Sequence, residues 1–224
     1  MATENHGSEH LGIDPRITEF LRERWGIEDF FPPQLEALPV VLEGKSLMLT
    51  IPTASGKSLV AYIGMINRLI GDMKGMRGAY VVPLKALASE KFEDLREIAG
   101  AVGLTVGLAI GDRVSESNGV DDSDILVCTS EKLDSILRTS SGFLENLGVV
   151  VSDEFHLLND YSRGPTLEVT ISRIMHIRPE AQIIALSATV GNSEELARWL
   201  GAKHVKSDWR PIPLHYGCLL YTSD

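Results

Sequence analysis

Two short segments of this chain carry residue types that can do chemistry together. Pro52-Thr53-Ala54-Ser55-Gly56-Lys57-Ser58 has the composition of a phosphate-gripping turn. In such a turn backbone N–H groups close around phosphate oxygens at a helix N-terminus, where the helix dipole favours anions. Lys57 would reach the β/γ-phosphates, and the Ser58 hydroxyl would sit on Mg²⁺. Ile51 stands where the strict pattern GxxxxGK(S/T) has its first glycine, so the loop gains its force from a second motif. About a hundred residues later, Val149-Val150-Val151-Ser152 runs into Asp153-Glu154-Phe155-His156. Asp153 can hold Mg²⁺ through water, and Glu154 can orient and deprotonate an attacking water. Taken alone, the two acids would equally suit the exposed opening of a helix. With the phosphate loop upstream they read as the other half of a Mg-nucleotide hydrolysis site, converging with Lys57 across neighbouring strand tips.

The elements needed to bring these segments together can be read from hydrophobic spacing. Residues 1–13 are mostly polar and read as a loose tail, in which His6 and His10 are surface residues. Asp14-Pro15 offers an N-cap and a first-turn proline for a helix bearing Ile17, Phe20, Leu21 and Trp25 and closed by Gly26. A second helix starts near Pro33 and runs toward Gly44, with Pro39 predicting a kink or an early end. Strands are expected at 46–51, 79–82, 104–110, 124–128, 147–151 and 182–186. Helices are expected at 57–70, 85–99, 131–138, 166–177 and 193–200. Strands apolar on both faces that alternate with helices predict an α/β fold with a mostly parallel sheet and helices on both faces. Ligands of such sheets gather at the carboxyl ends of the strands, where both motifs fall.

Composition sets the outer bounds. The 224 residues suffice for one sizeable domain, with 44% hydrophobic and 23% charged residues. A formal net charge of −10 argues against adhesion to nucleic acid over the whole surface, though not against a local track. No apolar run has membrane-spanning length, so no membrane partner is expected. Cys128 and Cys218 lack metal or disulfide spacing, which favours a reducing, cytoplasmic setting; Cys128 reads as a core residue.

Further segments give the chain a family resemblance. Besides PTASGKS and DEFH, it carries Ser187-Ala188-Thr189, Phe30-Phe31-Pro32-Pro33-Gln34, Pro83-Leu84-Lys85-Ala86-Leu87-Ala88, Gly111-Asp112 and Thr129-Ser130-Glu131-Lys132. Over roughly residues 25–216 it resembles the first RecA-like lobe of superfamily 2 DExH helicases, a P-loop NTPase fold. PLKALASEK, SDEFHLLND, RGPTLE and SDWRP are similar to the superkiller-like branch, in particular to archaeal DNA repair helicases of the Hjm type with 3′–5′ polarity. The resemblance implies ATP and Mg²⁺ as cofactors. Gln34 would read the adenine edge, and Pro52, Thr53, Ala54, Ser55, Gly56, Lys57 and Ser58 would hold phosphates. Ser58 and Asp153 would serve the metal, while Lys57, Asp153 and Glu154 would be catalytic. His156, Ser187 and Thr189 would couple hydrolysis to strand movement. Pro83, Leu84, Lys85, Gly111, Asp112 and Thr129 would contact single-stranded or forked DNA, with RNA as the alternative.

The same resemblance divides the chain into the tail (1–13), a RecA-like ATP-binding domain (14–206) and a connection (207–224) toward a second RecA-like lobe. Trp209 is expected to anchor that connection, and residues 219–224, which match no motif, read as an assembly artefact. A monomeric fragment that binds ATP weakly and does not unwind alone is expected. The competing readings are an RNA helicase lobe, a nucleotide-dependent binding module and an unrelated P-loop ATPase. The SAT run counts against the last of these.

Overall fold

The computed structural model describes residues 11–111, 113–114, 123–139, 141–189 and 191–211. The expectations for His6, His10, Asp112, Cys218 and residues 219–224 lie outside the described residues. Eight helices and eight strands follow one another among the described residues. They are α1 (Pro15–Arg24), α2 (Pro32–Leu42), β1 (Leu47–Thr50), α3 (Lys57–Ile70), β2 (Arg77–Val82), α4 (Lys85–Gly100), β3 (Val106–Ile110) and β4 (Arg113–Val114). Then come β5 (Ile125–Thr129), α5 (Ser130–Thr139), α6 (Ser141–Glu145), β6 (Leu147–Ser152), α7 (Gly164–Ile177), β7 (Gln182–Ser187), α8 (Ser193–Trp199) and β8 (Lys203–Lys206). A 3₁₀ turn, Phe155–Asn159, follows β6.

The strands form one sheet in the order β4-β3-β5-β2-β6-β7-β1-β8. Every neighbouring pair is parallel except β3 with β4. Strands β1, β5, β6 and β7 are buried at every position, which is why their sequences run apolar instead of alternating. Two cores result. One lies under α1–α4, with Ile17, Leu38, Ile63 and Leu95, and the other under α5–α8, with Leu133, Phe143, Ile171 and Leu196. The α/β sandwich with helices on both faces is therefore as the patterning implied.

Local corrections are informative. Ile13 is buried in the first core, so the loose tail ends before it. Helix α2 continues through Pro39 to Leu42, and the Pro39 carbonyl accepts from Glu43 N–H at 3.0 Å. A proline removes one donor in a helix, and this one does not end α2. Strand β8 escaped the pattern because it is an edge strand with only Val205 buried, and α6 because it is five residues long. Cys128 is a buried free thiol, and burial pushes it up to about 12, which suits its role as a core residue. His176 is exposed; His204 is half-buried with Nε2 3.1 Å from Thr50 Oγ1.

Helix α3 lies in a closely packed position between α2 and the sheet. A Cβ added at Gly64 would come within 2.9 Å of Val41 and 3.3 Å of Ile184. Gly64→Val is expected to lower the unfolding free energy by about 1–3 kcal/mol through overpacking. Denaturant titration followed by far-ultraviolet dichroism measures it.

Candidate nucleotide site

The phosphate loop joins β1 to α3 in a conformation that its residues permit. Gly56 is the N-cap of α3 at φ 74°, ψ 30°, and no side chain caps the helix. The first N–H groups of α3 are thus aimed out of the helix without a side-chain acceptor. Ala54 also has a positive φ, 64°. Among the described non-glycine residues the only other positive φ belongs to Glu154, at 49°. Left-handed non-glycine residues cost on the order of 1–3 kcal/mol, and here they mark the two motifs singled out by the sequence.

The acidic segment sits at the tip of β6. The expectation of neighbouring strand tips is not met: β7 lies between β6 and β1. Two strand spacings put the β6 and β1 tips about 10 Å apart, a gap that side chains must cross. Lys57 lies in the first turn of α3. It is 8% exposed, and its Nζ donates to Ile51 O at 3.4 Å. Burial holds its pKa below the usual lysine value, and the charges of Glu154 and Asp153 oppose that shift. Lysine and both carboxylates therefore share one electrostatic site.

Asp153 is 7% exposed and has a partner at each oxygen. Its Oδ1 accepts from Glu154 N–H at 2.9 Å, and its Oδ2 accepts from the Tyr80 hydroxyl at 3.1 Å. Tyr80 was not among the residues anticipated from the sequence. In an apolar core strand, a lone tyrosine carries no local signal of what its hydroxyl will meet.

The intervening strand β7 places Ser187-Ala188-Thr189 beside this pair. His156 Nδ1 lies 3.4 Å from Ala188 N and 3.4 Å from Glu154 Oε2, so one ring nitrogen faces both the acidic segment and the SAT segment. Ser187 is buried and donates to the Ala188 carbonyl at 2.8 Å, whereas Thr189 is exposed.

On the other flank, Gln34 is 3% exposed and ties α2 to the phosphate loop. Its Oε1 accepts from Phe31 N–H at 2.7 Å, and its Nε2 donates to Gly56 O at 3.0 Å. Phe31, Gln34, Gly56 and Leu59, with residues 26–29, line an open cleft of about 520 Å³. The Trp209 ring packs on Phe31 at 4.7 Å, and Ser55 Oγ donates to Trp209 O at 3.3 Å. The segment after β8 is thus fastened to the loop.

The remaining segments line the same sheet edge farther along. Leu84 and Lys85 are exposed beyond β2, Pro83 is half-buried, and a Cβ at Gly111 beyond β3 would come 3.0 Å from Lys85 Nζ. Thr129 is buried, with Oγ1 accepting from Lys132 N–H at 3.4 Å, so its side chain serves the start of α5. Pro52 is buried and Thr53 exposed at the loop mouth.

Comparison with known proteins agrees with this geometry. The DEAD/DEAH box helicase pattern matches residues 31–196. The chain belongs to the DEAD/DEAH box helicase family. It is 49% identical over 210 residues to the ATP-dependent DNA helicase Hel308 of Thermococcus kodakarensis, covering 93% of this chain and 18% of that protein. To the Hel308 of Pyrococcus horikoshii it is 48% identical, covering 93% of this chain and 28% of the relative. The chain thus spans less than a third of the length of these curated relatives. Among solved structures, the DUF1998 helicase MrfA bound to DNA superposes with a TM-score of 0.75 at 28% identity, covering 88% of this chain and 30% of that one. Saccharomyces cerevisiae Dbp5 bound to RNA and ADP BeF3 superposes at 0.77 with 17% identity, over 89% and 51%, and shows the shared fold. The RecA-like lobe expected from the motifs is the fold observed.

Gly56 combines a left-handed backbone with contact on Gln34: an added Cβ would stand 2.2 Å from Gln34 Nε2. Gly56→Ala is expected to destabilise the fold by about 1–3 kcal/mol. In a Gln34→Ala background the loss should shrink, because the displaced amide is gone. A double-mutant cycle from urea unfolding measures both values.

Proposed function

We propose that this chain is the nucleotide-binding RecA-like lobe of an ATP-dependent DNA helicase that moves 3′–5′ along one strand and acts in DNA repair or replication restart. The observation that carries the reading is the convergence of Lys57, Ser58, Asp153 and Glu154 at one sheet edge. Ser58 and Lys57 open α3 at the phosphate loop, and the charges of Glu154 and Asp153 act on Lys57. DNA as the substrate is favoured by the names of relatives at 48–49% identity.

The residues present fit a magnesium nucleotide. Ser58 in the first turn of α3 and Asp153 just beyond β6 carry the oxygen donors that would hold a cation, and the uncapped N-terminus of α3 and residues 52–58 suit the phosphates. Magnesium, bound there with ATP, would offset the charge of the phosphates. Lys57 adds a second positive charge there. Glu154, with its side chain about a third exposed, is placed to take a proton from water. Gln34 and the cleft at Phe31 would receive the adenine. His156 would pass the state of Glu154 to the SAT segment, with Ser187 and Thr189 in that path. Pro83, Leu84, Lys85, Gly111, Asp112 and the backbone at Thr129 would follow the sugar–phosphate strand, giving salt-sensitive and sequence-tolerant binding. A second lobe would supply the arginine finger, worth about 10³–10⁵ in rate in related NTPases. Among the described residues no helix is long and apolar enough to cross a membrane.

This chain is expected to bind Mg-ATP weakly and to hydrolyse it near background. Glu154→Gln should keep binding, and Lys57→Ala should lose it, by fluorescent-nucleotide titration. In a parent protein with both lobes, Glu154→Gln should abolish unwinding of 3′-tailed DNA. Equal unwinding of a matched RNA duplex would instead favour the RNA reading. Burial lowers the Lys57 pKa, and phosphate would raise it again. Binding then takes up a proton at alkaline pH. ATP affinity should fall as pH climbs through the lowered Lys57 pKa toward the ordinary lysine range near about 10.4. Lys57→Gln should flatten that profile.

A further inference from the structure

Tyr80 belongs to no recognised segment, yet its hydroxyl meets one of them. It sits on β2, opposite Val151 of β6, and is fully buried, with its ring 5.6 Å from that of Tyr62. A buried phenol needs a partner for its O–H, and a second tyrosine in the same core meets that need elsewhere: Tyr62 donates to Asp94 at 2.9 Å. Tyr80 instead turns its hydroxyl toward the sheet edge. There it donates to Asp153 Oδ2 at 3.1 Å. That hydrogen bond joins β2 to the tip of the neighbouring strand β6.

We propose that Tyr80 is a positioning residue for the metal–nucleotide site, its hydroxyl fixing the orientation of the Asp153 carboxylate that would serve a divalent cation. This inference rests on the nucleotide-site reading above and adds a residue to it. A terminal carboxylate torsion is soft, with broad minima. Asp153 loses that freedom because Glu154 N–H holds Oδ1 while Tyr80 holds Oδ2. The phenol keeps its proton, since burial first and the neighbouring Asp153 charge next push its pKa up. It therefore remains a donor and does not compete as an anionic ligand. Phenylalanine would preserve the ring packing and delete only the hydroxyl that holds Asp153. Asp153, 7% exposed, would then keep one buried oxygen short of a partner.

The test is Tyr80→Phe in the 224-residue chain, with Tyr62→Phe as the control for loss of a core phenol. ATP affinity is titrated with Mg²⁺ and in EDTA, and Mn²⁺ occupancy in the presence of ATP is read by electron paramagnetic resonance. Metal-free ATP affinity of Tyr80→Phe should stay within about twofold of the parent, while the metal-dependent gain and Mn²⁺ occupancy fall about five- to tenfold. Tyr62→Phe should leave both metal readouts unchanged even where it shifts the unfolding midpoint. An undiminished metal-dependent gain in Tyr80→Phe would overturn the positioning role alone, as would equal losses in the two variants. A parent chain with no metal-dependent ATP binding, or one in which Lys57→Ala binds as well as the parent, would overturn the nucleotide-site reading itself.

Discussion

Asp153 is a carboxylate almost closed off from water, and it lies in the same field as an almost buried Lys57. Taking either charge out of water alone costs several kcal/mol, so each must be compensated locally. For Asp153 the compensation is a phenol, a backbone amide and a nearby ammonium. For Lys57 it is a loop carbonyl and two carboxylates. None of these partners is adjacent in sequence to both ends. The sheet has to be assembled, with β2, β6, β7 and β1 in that order, before the charges can be tolerated.

That strand order divides the functional edge in two. Strands β6, β7 and β1 end in the acidic segment, the SAT segment and the phosphate loop, while β2, β5 and β3 end in the segments with an exposed basic residue at Lys85. Parallel strands make this possible, because every carboxyl end opens on the same side. The SAT strand lies between the two chemical motifs, so a change at either one must pass it. His156, facing Ala188 N and Glu154 with the same nitrogen, is the physical contact across that boundary.

The flanks of the lobe are tied to the same loop. Gln34 binds α2 to Gly56, and Ser55 and Phe31 hold the stretch at Trp209 after β8. The segment leading into the sheet and the one leaving it therefore meet at the phosphate loop.

The sequence by itself determined the elements and the chemistry of the two motifs. Helix α3 spans 57–70 as its apolar spacing required, and the run at Val149–Ser152 could hardly be anything but a buried strand. Local periodicity and residue type suffice there, because burial on both faces dictates composition directly. The edge strand β8 and the short α6 lacked such a pattern, and Pro39 was overridden by the packing of α2 on α3. Only the tertiary structure decided that β7 separates β6 from β1, that Thr129 turns its hydroxyl inward, and that Tyr80 holds Asp153. Strand order and the direction of one hydroxyl depend on contacts between residues far apart in the chain, and no local pattern encodes those.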